Sequence, residues 1–119
     1  NAFTADGAAT THEAVETMDG DTTVINAEAP ADITYGYTDL PASIAGDAIF
    51  AVVVASFAKK TGASVPTLQH KIGVNAIGLP YDIGPGFQHF EDYMYVNPIG
   101  SAAWTTTEID AINVTLELD

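Results

Sequence analysis

Apolar and polar residues alternate with a period of two along several short stretches of this chain. In "DITYGYTDL", Ile33, Tyr35 and Tyr37 fall on one face, and Thr34 and Gly36 fall on the other. Such alternation is typical of a strand with one face in the core. The stretch "INVTLELD" repeats the pattern with apolar residues at every second position, which are Ile112, Val114, Leu116 and Leu118. We therefore predict two strands that each bury one face.

A denser apolar segment, "AIFAVVVASFAKK", lies near the middle of the chain. Its apolar residues occupy both faces, with Ile49, Val53 and Phe57 on one and Phe50, Val52 and Val54 on the other. The β-branched content and the glycine-bounded length favour a strand over a helix. A strand that is apolar on both sides is expected inside a sandwich, or against a neighbouring chain. Val53 and Phe57 are accordingly predicted to be structural positions.

Two further stretches carry strand patterns. In "VPTLQHKIGVNAIGL", Leu68, His70 and Ile72 share one face, and Pro66 predicts that this strand begins at a sheet edge. "FQHFEDYMYVN" resumes the alternation, with a bulge expected near "ED", where the pattern slips.

With a short strand at 22–26, the chain carries six or seven strands separated by turn signals at the spacing of a sandwich or barrel. The predicted fold is all-β, a jelly-roll-like antiparallel β-sandwich with one short helix near the C-terminus. Residues 21–119 are predicted to form a single sandwich domain. Residues 1–20 show no sustained period and are predicted to form an N-terminal arm or irregular lead-in.

The predicted helix follows the chain's one tryptophan, Trp104. Thr105 is a favourable N-cap, and Glu108 stands three residues later, which is the spacing of a capping box. Trp104 then precedes the cap and can pack against Ile109 or Ile112. We expect the tryptophan to plug one rim of the sandwich and the last strand to enter the core sheet.

The composition excludes several classes of protein. The 119 residues include sixteen Asp and Glu but only three Lys and no Arg, which gives a net charge of -13. A surface of this sign repels nucleic acid and anionic membranes, so neither is an expected partner. The absence of cysteine excludes disulfides, thiolate metal sites and a cysteine nucleophile. The longest apolar run, 48–58, is about half the length of a membrane-spanning helix.

Candidate metal ligands are sparse. His12, His70 and His89 lie in three separate segments, which favours structural roles, although His70 and His89 could face each other across the sandwich. Asp19 and Asp21 in "MDGDTT" have a spacing that could hold calcium, but the rest of an EF-hand loop is missing, so an acidic turn is favoured. No metal or other cofactor is predicted.

Candidate catalytic groups are equally few. "HFED" contains His89, Glu91 and Asp92, which could form an acid and base cluster, but a solvated strand edge is the favoured interpretation. Because no GxSxG, phosphate-binding glycine loop or HExxH occurs, the prediction is that the protein is not an enzyme. The aromatic residues could instead line a sugar-binding face, with core packing as the favoured alternative; they are Tyr35, Tyr37, Phe87, Phe90, Tyr93, Tyr95 and Trp104.

Three stretches carry a resemblance to a known group: "HEAVETMDGDTTVINA", "YGYTDLPASIAGDAIFAVVVASFAKKTGAS" and "NPIGSAAWTTTEIDAINVTLEL". In this order they resemble small virion structural proteins of tailed bacteriophages, which end on a Pro-x-x-Gly turn, a Trp-Thr pair, a short helix and a closing strand. The chain departs from that group in lacking an Arg before Lys59 and in ending on Ile112–Val114 where a glycine is more usual.

The resemblance implies a non-enzymatic protein on the exterior of the virion, most simply a capsid decoration (cement) protein. The expected partners are the major capsid protein or other virion proteins, and copies of the chain itself as a homo-oligomer such as a trimer. A module of the tail or fibre is one alternative. A carbohydrate-binding β-sandwich is another, and a hydrolase is the least favoured.

Overall fold

The computed structural model describes residues 2–6, 8–11 and 24–119. This part of the chain is mainly β-structure, with short helical segments and antiparallel pairing between all paired strands. The strands are β1 (Thr4–Asp6), β2 (Val24–Asn26), β3 (Ala31–Gly36), β4 (Val52–Ala58), β5 (Thr67–Ile72), β6 (Asn75–Asp82), β7 (Gln88–Met94) and β8 (Asn113–Leu118). The helix α1 spans Thr106–Ala111, and a 3-10 turn spans Ala42–Ile44. The predicted all-β class with one short C-terminal helix is confirmed.

The strand pairs are nested within one another along the chain. β5 pairs with β6, β4 with β7, and β3 with β8, and β8 also pairs with β5. The result is one long folded ribbon that is rolled on itself, as in a jelly roll. It forms a four-stranded sheet in the order β3-β8-β5-β6 and a two-stranded sheet of β4 and β7. β1 and β2 form a separate two-stranded pair, and Ala2 bridges to Asp32 on β3.

The two sheets enclose the hydrophobic core between them. One buried cluster joins the sheets near the start of β4 and consists of Val54, Ile72, Ile77, Met94, Trp104 and Val114. A second cluster lies toward the other end and consists of Leu68, Ile83 and Phe90. The inward residues of β8 belong to this packing, since Leu116 and Leu118 contact the second cluster. The apolar residues at every second position of β8 therefore lie on its buried face.

β4 buries only one face within this chain, because Val53 and Phe57 point outward and keep 45% and 39% of their surface exposed, and a neighbouring chain over that face stays a prediction. Three details of the strand predictions were wrong. Tyr37 was expected on the buried face of its strand, but β3 ends at Gly36 and Tyr37 is 60% exposed. β5 lies between β8 and β6, so Pro66 precedes a central strand, at a position where its missing N–H costs no ladder bond. β7 pairs with β4 in continuous register, and the register shift occurs in the β5–β6 pair instead.

Trp104 fills the rim of the sandwich next to α1. Its side chain is 3% exposed, and its indole Nε1–H donates to the Met94 carbonyl oxygen over 3.0 Å. Ile109 and Ile112 pack against the cluster that contains it. The tryptophan thus satisfies its one polar atom while contributing a large apolar surface to the core.

The helix begins with the capping box that the spacing predicts. The Thr105 Oγ1 accepts from the Glu108 N–H over 3.2 Å, and the Glu108 carboxylate accepts from the Thr105 N–H over 2.9 Å. This bond from the Thr105 backbone holds the pKa of Glu108 below its ordinary value of 4.5. Two of the unpaired N–H groups at the helix start are thereby satisfied.

Thr105→Ala is expected to lower the free energy of unfolding by about 1 kcal/mol, because the Glu108 N–H loses its acceptor. Chemical denaturation followed by Trp104 fluorescence measures the change. Thr107→Ala, an exposed position in the first turn of the same helix, is the matched control and should change the stability by less than about 0.5 kcal/mol. Equal losses in the two variants would contradict the capping role.

Candidate functional site

A layer of polar side chains crosses the middle of the core. Three strands each place one polar residue at an inward position between apolar neighbours: Ser56 on β4, His70 on β5 and Asp92 on β7. The layer separates the two apolar clusters. His70 is 0% exposed and Asp92 is 8% exposed. Buried polar groups at this depth are costly unless they are hydrogen-bonded, so their pairing decides whether the core is stable.

The imidazole of His70 joins the two sheets through both of its nitrogens. Nδ1 lies 2.7 Å from Asp92 Oδ2, and Nε2 lies 2.7 Å from Ser56 Oγ. A carboxylate oxygen only accepts, so Nδ1 carries the proton and donates to Asp92. In the neutral ring, Nε2 then accepts from the Ser56 hydroxyl. β5 is thus tied to both strands of the opposite sheet.

Tyr81 on β6 completes the set of bonds around Asp92. Its hydroxyl lies 2.9 Å from Asp92 Oδ1 and 2.7 Å from the Glu91 carbonyl oxygen, so its single proton is placed between two acceptors. Desolvation, followed by the Asp92 hydrogen bond and charge, raises the pKa of Tyr81 above its ordinary value of 10.0. The phenol therefore stays a neutral donor in the folded protein.

Gly78 on β6 allows this close approach. Its φ is +66°, and a Cβ built there would lie 2.1 Å from Asp92 Oδ1. The register shift between Leu68 and His70 lies beside it, and Gln69 Nε2 bridges that irregularity by donating to the Ile77 carbonyl oxygen over 2.8 Å. Both the backbone conformation and the space at this position exclude a side chain.

The order of Ser56, His70 and Asp92 is that of a nucleophilic triad, with the imidazole between hydroxyl and carboxylate. A triad also needs a route by which a substrate carbonyl reaches the hydroxyl, and donors for the oxyanion. Here the imidazole has no solvent-exposed surface, and the serine points between the sheets. These features favour a structural bridge, and the non-enzymatic interpretation stays a prediction.

The structure separates the residues that the sequence grouped. His89 lies on the outer face of β7, with Nε2 3.4 Å from Glu91 Oε1, so it does not face His70. Within "HFED", Asp92 is buried while Glu91 points outward. The sequence signal that would have located the polar layer is a polar residue flanked at ±2 by apolar residues on three strands. On β7 the alternation does not slip at "ED", because Asp92 is itself an inward residue.

The remaining candidate ligands contribute no metal site to the described structure. Asp19, Asp21 and His12 lie outside the described residues. Within 2–6, 8–11 and 24–119, no group of three or more His, Asp or Glu side chains is arranged to hold a metal ion. The same residues contain no helix with the length and hydropathy needed to span a membrane.

Exposed apolar side chains concentrate at one end of the sandwich. The loops that emerge beside Trp104 are 37–51, 73–74 and 95–105, and we call this surface the Trp104 end. It carries six of the eleven exposed large apolar side chains among the described residues, which are Tyr37, Phe50, Val74, Tyr95, Val96 and Ile99. Phe50 and Val74 are 87% and 89% exposed. Exposed apolar side chains gathered on one surface are a common feature of protein interaction sites, so the Trp104 end is a candidate docking surface.

Hydrogen bonds to α1 and its flanking turn order these loops. The Leu40 N–H donates to Asp110 Oδ1 over 2.7 Å, and the Gly46 N–H donates to Thr106 Oγ1 over 3.3 Å. The Asn97 N–H donates to the Ala102 carbonyl oxygen over 2.8 Å. Hydrogen bonds therefore fix the backbone of the loops that carry the apolar side chains at the Trp104 end.

A second surface is the outer face of the β4–β7 sheet, which we call the outer strip. It consists of Val53, Phe57, Phe87, His89, Glu91 and Tyr93. Across the two strands, Val53 is opposite Tyr93 and Phe57 is opposite His89. Unlike the Trp104 end, the strip interleaves aromatic rings with polar groups.

Comparison of this chain with protein-family models, curated proteins and solved structures finds no match. No relative therefore shows the family of this chain, and its candidate functional features are the two surfaces and the polar layer.

Asp92→Asn is expected to lower the free energy of unfolding by about 3 kcal/mol, because His70 and Tyr81 donate to different carboxylate oxygens and the amide replaces one of these acceptors with an NH2 donor. Denaturant titration measures the loss. Asp82→Asn, an exposed aspartate on β6, is the control and should stay within about 0.5 kcal/mol of the wild type. A loss at position 92 as small as at position 82 would show that the polar layer does not hold the sheets together.

Tyr81→Phe is expected to destabilise the protein at neutral pH and to do so less as the pH rises above 10. The folded-state pKa of Tyr81 is raised, so its stabilising contribution is complete below the unfolded value near 10.0 and is lost as the pH rises through the folded value. Parallel denaturation curves of wild type and variant across this range measure the difference. A difference that stays constant or grows with pH would contradict this assignment.

Proposed function

We propose that this domain is a non-enzymatic structural protein of a tailed-bacteriophage virion, where it decorates the outer surface of the capsid. The observation that carries the proposal is the concentration of ordered, exposed apolar side chains at the Trp104 end. A jelly-roll-like sandwich with an exposed apolar surface at one end is suited to binding a partner of complementary shape. The resemblance to small virion proteins supports the same role.

The partner surface belongs to the major capsid protein or another virion protein. A stable contact would bury on the order of 1,000 Å² or more, and the repetition of sites on a symmetric lattice would add avidity to each contact. Copies around local threefold axes would form a homotrimer, which brings several Trp104 ends to one docking site. The acidic surfaces away from that end would remain in water.

A tail- or fibre-associated module is the second candidate, because it would use the same kind of apolar docking end. The two differ in location on the particle. Electron microscopy of particles that carry the protein would distinguish density on the head from density on the tail.

Phe50→Ser is expected to reduce binding to particles that lack the protein by about tenfold, because it removes a large apolar side chain from the docking end. Purified protein is titrated onto such particles, and occupancy is measured by gel densitometry after sedimentation. Leu79→Ser is the matched control, since Leu79 is 80% exposed but lies on β6, away from the Trp104 end, and should bind as the wild type does.

Two results would contradict the proposal. The first is a wild-type protein that does not sediment with the particles. The second is a Phe50→Ser variant that binds as well as the wild type while Leu79→Ser does not.

A further inference from the structure

The outer strip has a chemistry different from that of the Trp104 end. Phe57 and Phe87 stack on each other, with ring centroids 4.8 Å apart and an angle of 6° between the planes. The Lys59 ammonium lies 4.7 Å from the Phe87 centroid. Farther along β7, Tyr93 is 56% exposed. The strip therefore offers aromatic surface at both of its ends.

A row of hydrogen-bonding groups connects these aromatic residues. Glu91 accepts from the Tyr93 hydroxyl over 2.5 Å at one carboxylate oxygen, and its other oxygen lies 3.4 Å from His89 Nε2. The hydrogen bond to Glu91 raises the pKa of the Tyr93 phenol, so the phenol remains a donor. The hydrogen bond between Tyr93 and Glu91 orients these two polar groups before any ligand arrives, and the imidazole of His89 lies beside them.

The strip is long and flat rather than a closed pocket. Phe87, His89, Glu91 and Tyr93 stand at alternate positions on one face of a single strand and its approach, which spans about 20 Å. On the neighbouring strand β4, Val53 and Phe57 widen the strip. Ala55, which pairs with Glu91, adds only a small side chain between them. A linear ligand with an apolar face and polar edges would match this surface along its length.

We propose that the outer strip binds a neutral oligosaccharide. Sugar rings present a C–H face that packs on aromatic side chains and hydroxyl edges that exchange hydrogen bonds with carboxylates, phenols and imidazoles. Phe57 and Tyr93 supply the aromatic surface, since the ring faces of Phe87 are occupied by Phe57 and Lys59, and Glu91 and His89 supply the polar contacts. The glycan is neutral because a chain with a net charge of -13 repels anionic polymers.

Charge also disfavours a second copy of this chain as the occupant. In a twofold contact both copies would use the same surface, so the two Glu91 carboxylates would lose water near each other. Lys59 lies at the far end of the strip and would not be close enough to compensate their charge. The net charge of -13 on each copy adds to this repulsion.

The strip adjoins the Trp104 end at Tyr93, close to Tyr95, and extends away from that end to Phe57. Phe50 and Val74 lie on the Trp104 end itself. A virion protein held by its end could present the strip to glycans on a cell surface. Glycan binding and particle binding are measured separately, each with its own variants.

The test uses the whole chain on an array of neutral gluco-, manno- and galacto-oligosaccharides, with sulfated and uronic-acid oligosaccharides as an anionic set. Hits are titrated by isothermal calorimetry. We expect a Kd below about 1 mM for at least one neutral ligand. Tyr93→Ala and Glu91→Gln should each weaken it by about tenfold, and Leu79→Ala, which alters an exposed apolar residue elsewhere, should leave it within about twofold.

Four outcomes would overturn the proposal. In the first, the wild type binds no neutral ligand, and in the second it binds the anionic set alone. In the third, Tyr93→Ala leaves glycan binding unchanged. In the fourth, the wild type self-associates and Tyr93→Ala abolishes that association. Circular dichroism of each variant verifies folding, and Tyr93→Phe, which keeps the ring, provides a second variant with an expected intermediate loss. Particle binding by Glu91→Gln should equal that of the wild type.

Discussion

The alignment of the two sheets depends on one imidazole whose two nitrogens are both bonded to the opposite sheet. His70 reaches Ser56 on one strand and Asp92 on the other, each over 2.7 Å. If β5 moved by two residues relative to the β4–β7 sheet, apolar packing could re-form, but these polar groups would be buried without partners. Hydrophobic burial therefore supplies most of the driving force, and the polar layer selects one arrangement among similar apolar ones.

The different roles of hydrophobic burial and the polar layer explain which features of the fold can be predicted from the sequence. The period of two on β5 and β8 predicts which side chains face the core, and the Thr105 and Glu108 spacing predicts the cap of α1. These features are local, because they depend on the strand pleat or on one helical turn. The nested pairing of strands depends on contacts between distant residues, and composition and periodicity carry little information about it.

The prediction failed where a residue broke the apolar pattern for a tertiary reason. Asp92 occupies an inward position because His70 and Tyr81 satisfy it, and a polar residue at such a position looks like a shift in register. β4 shows the opposite case. Val53 and Phe57 are apolar but face outward, because only one of the strand's faces meets the other sheet. Their side chains form part of the outer strip.

The nested pairing also fixes where a fused protein would stand. Asp119 exchanges backbone hydrogen bonds with Thr67, at the end of the sandwich opposite the loops around Trp104. A reporter or antigen joined after Asp119 would project from that opposite end, with the whole length of the strands between it and the apolar loops. If those loops bind a capsid, the domain would display the fused protein on the side facing away from the capsid. The size of the fused protein would then be limited by crowding between neighbouring copies and not by the docking contact.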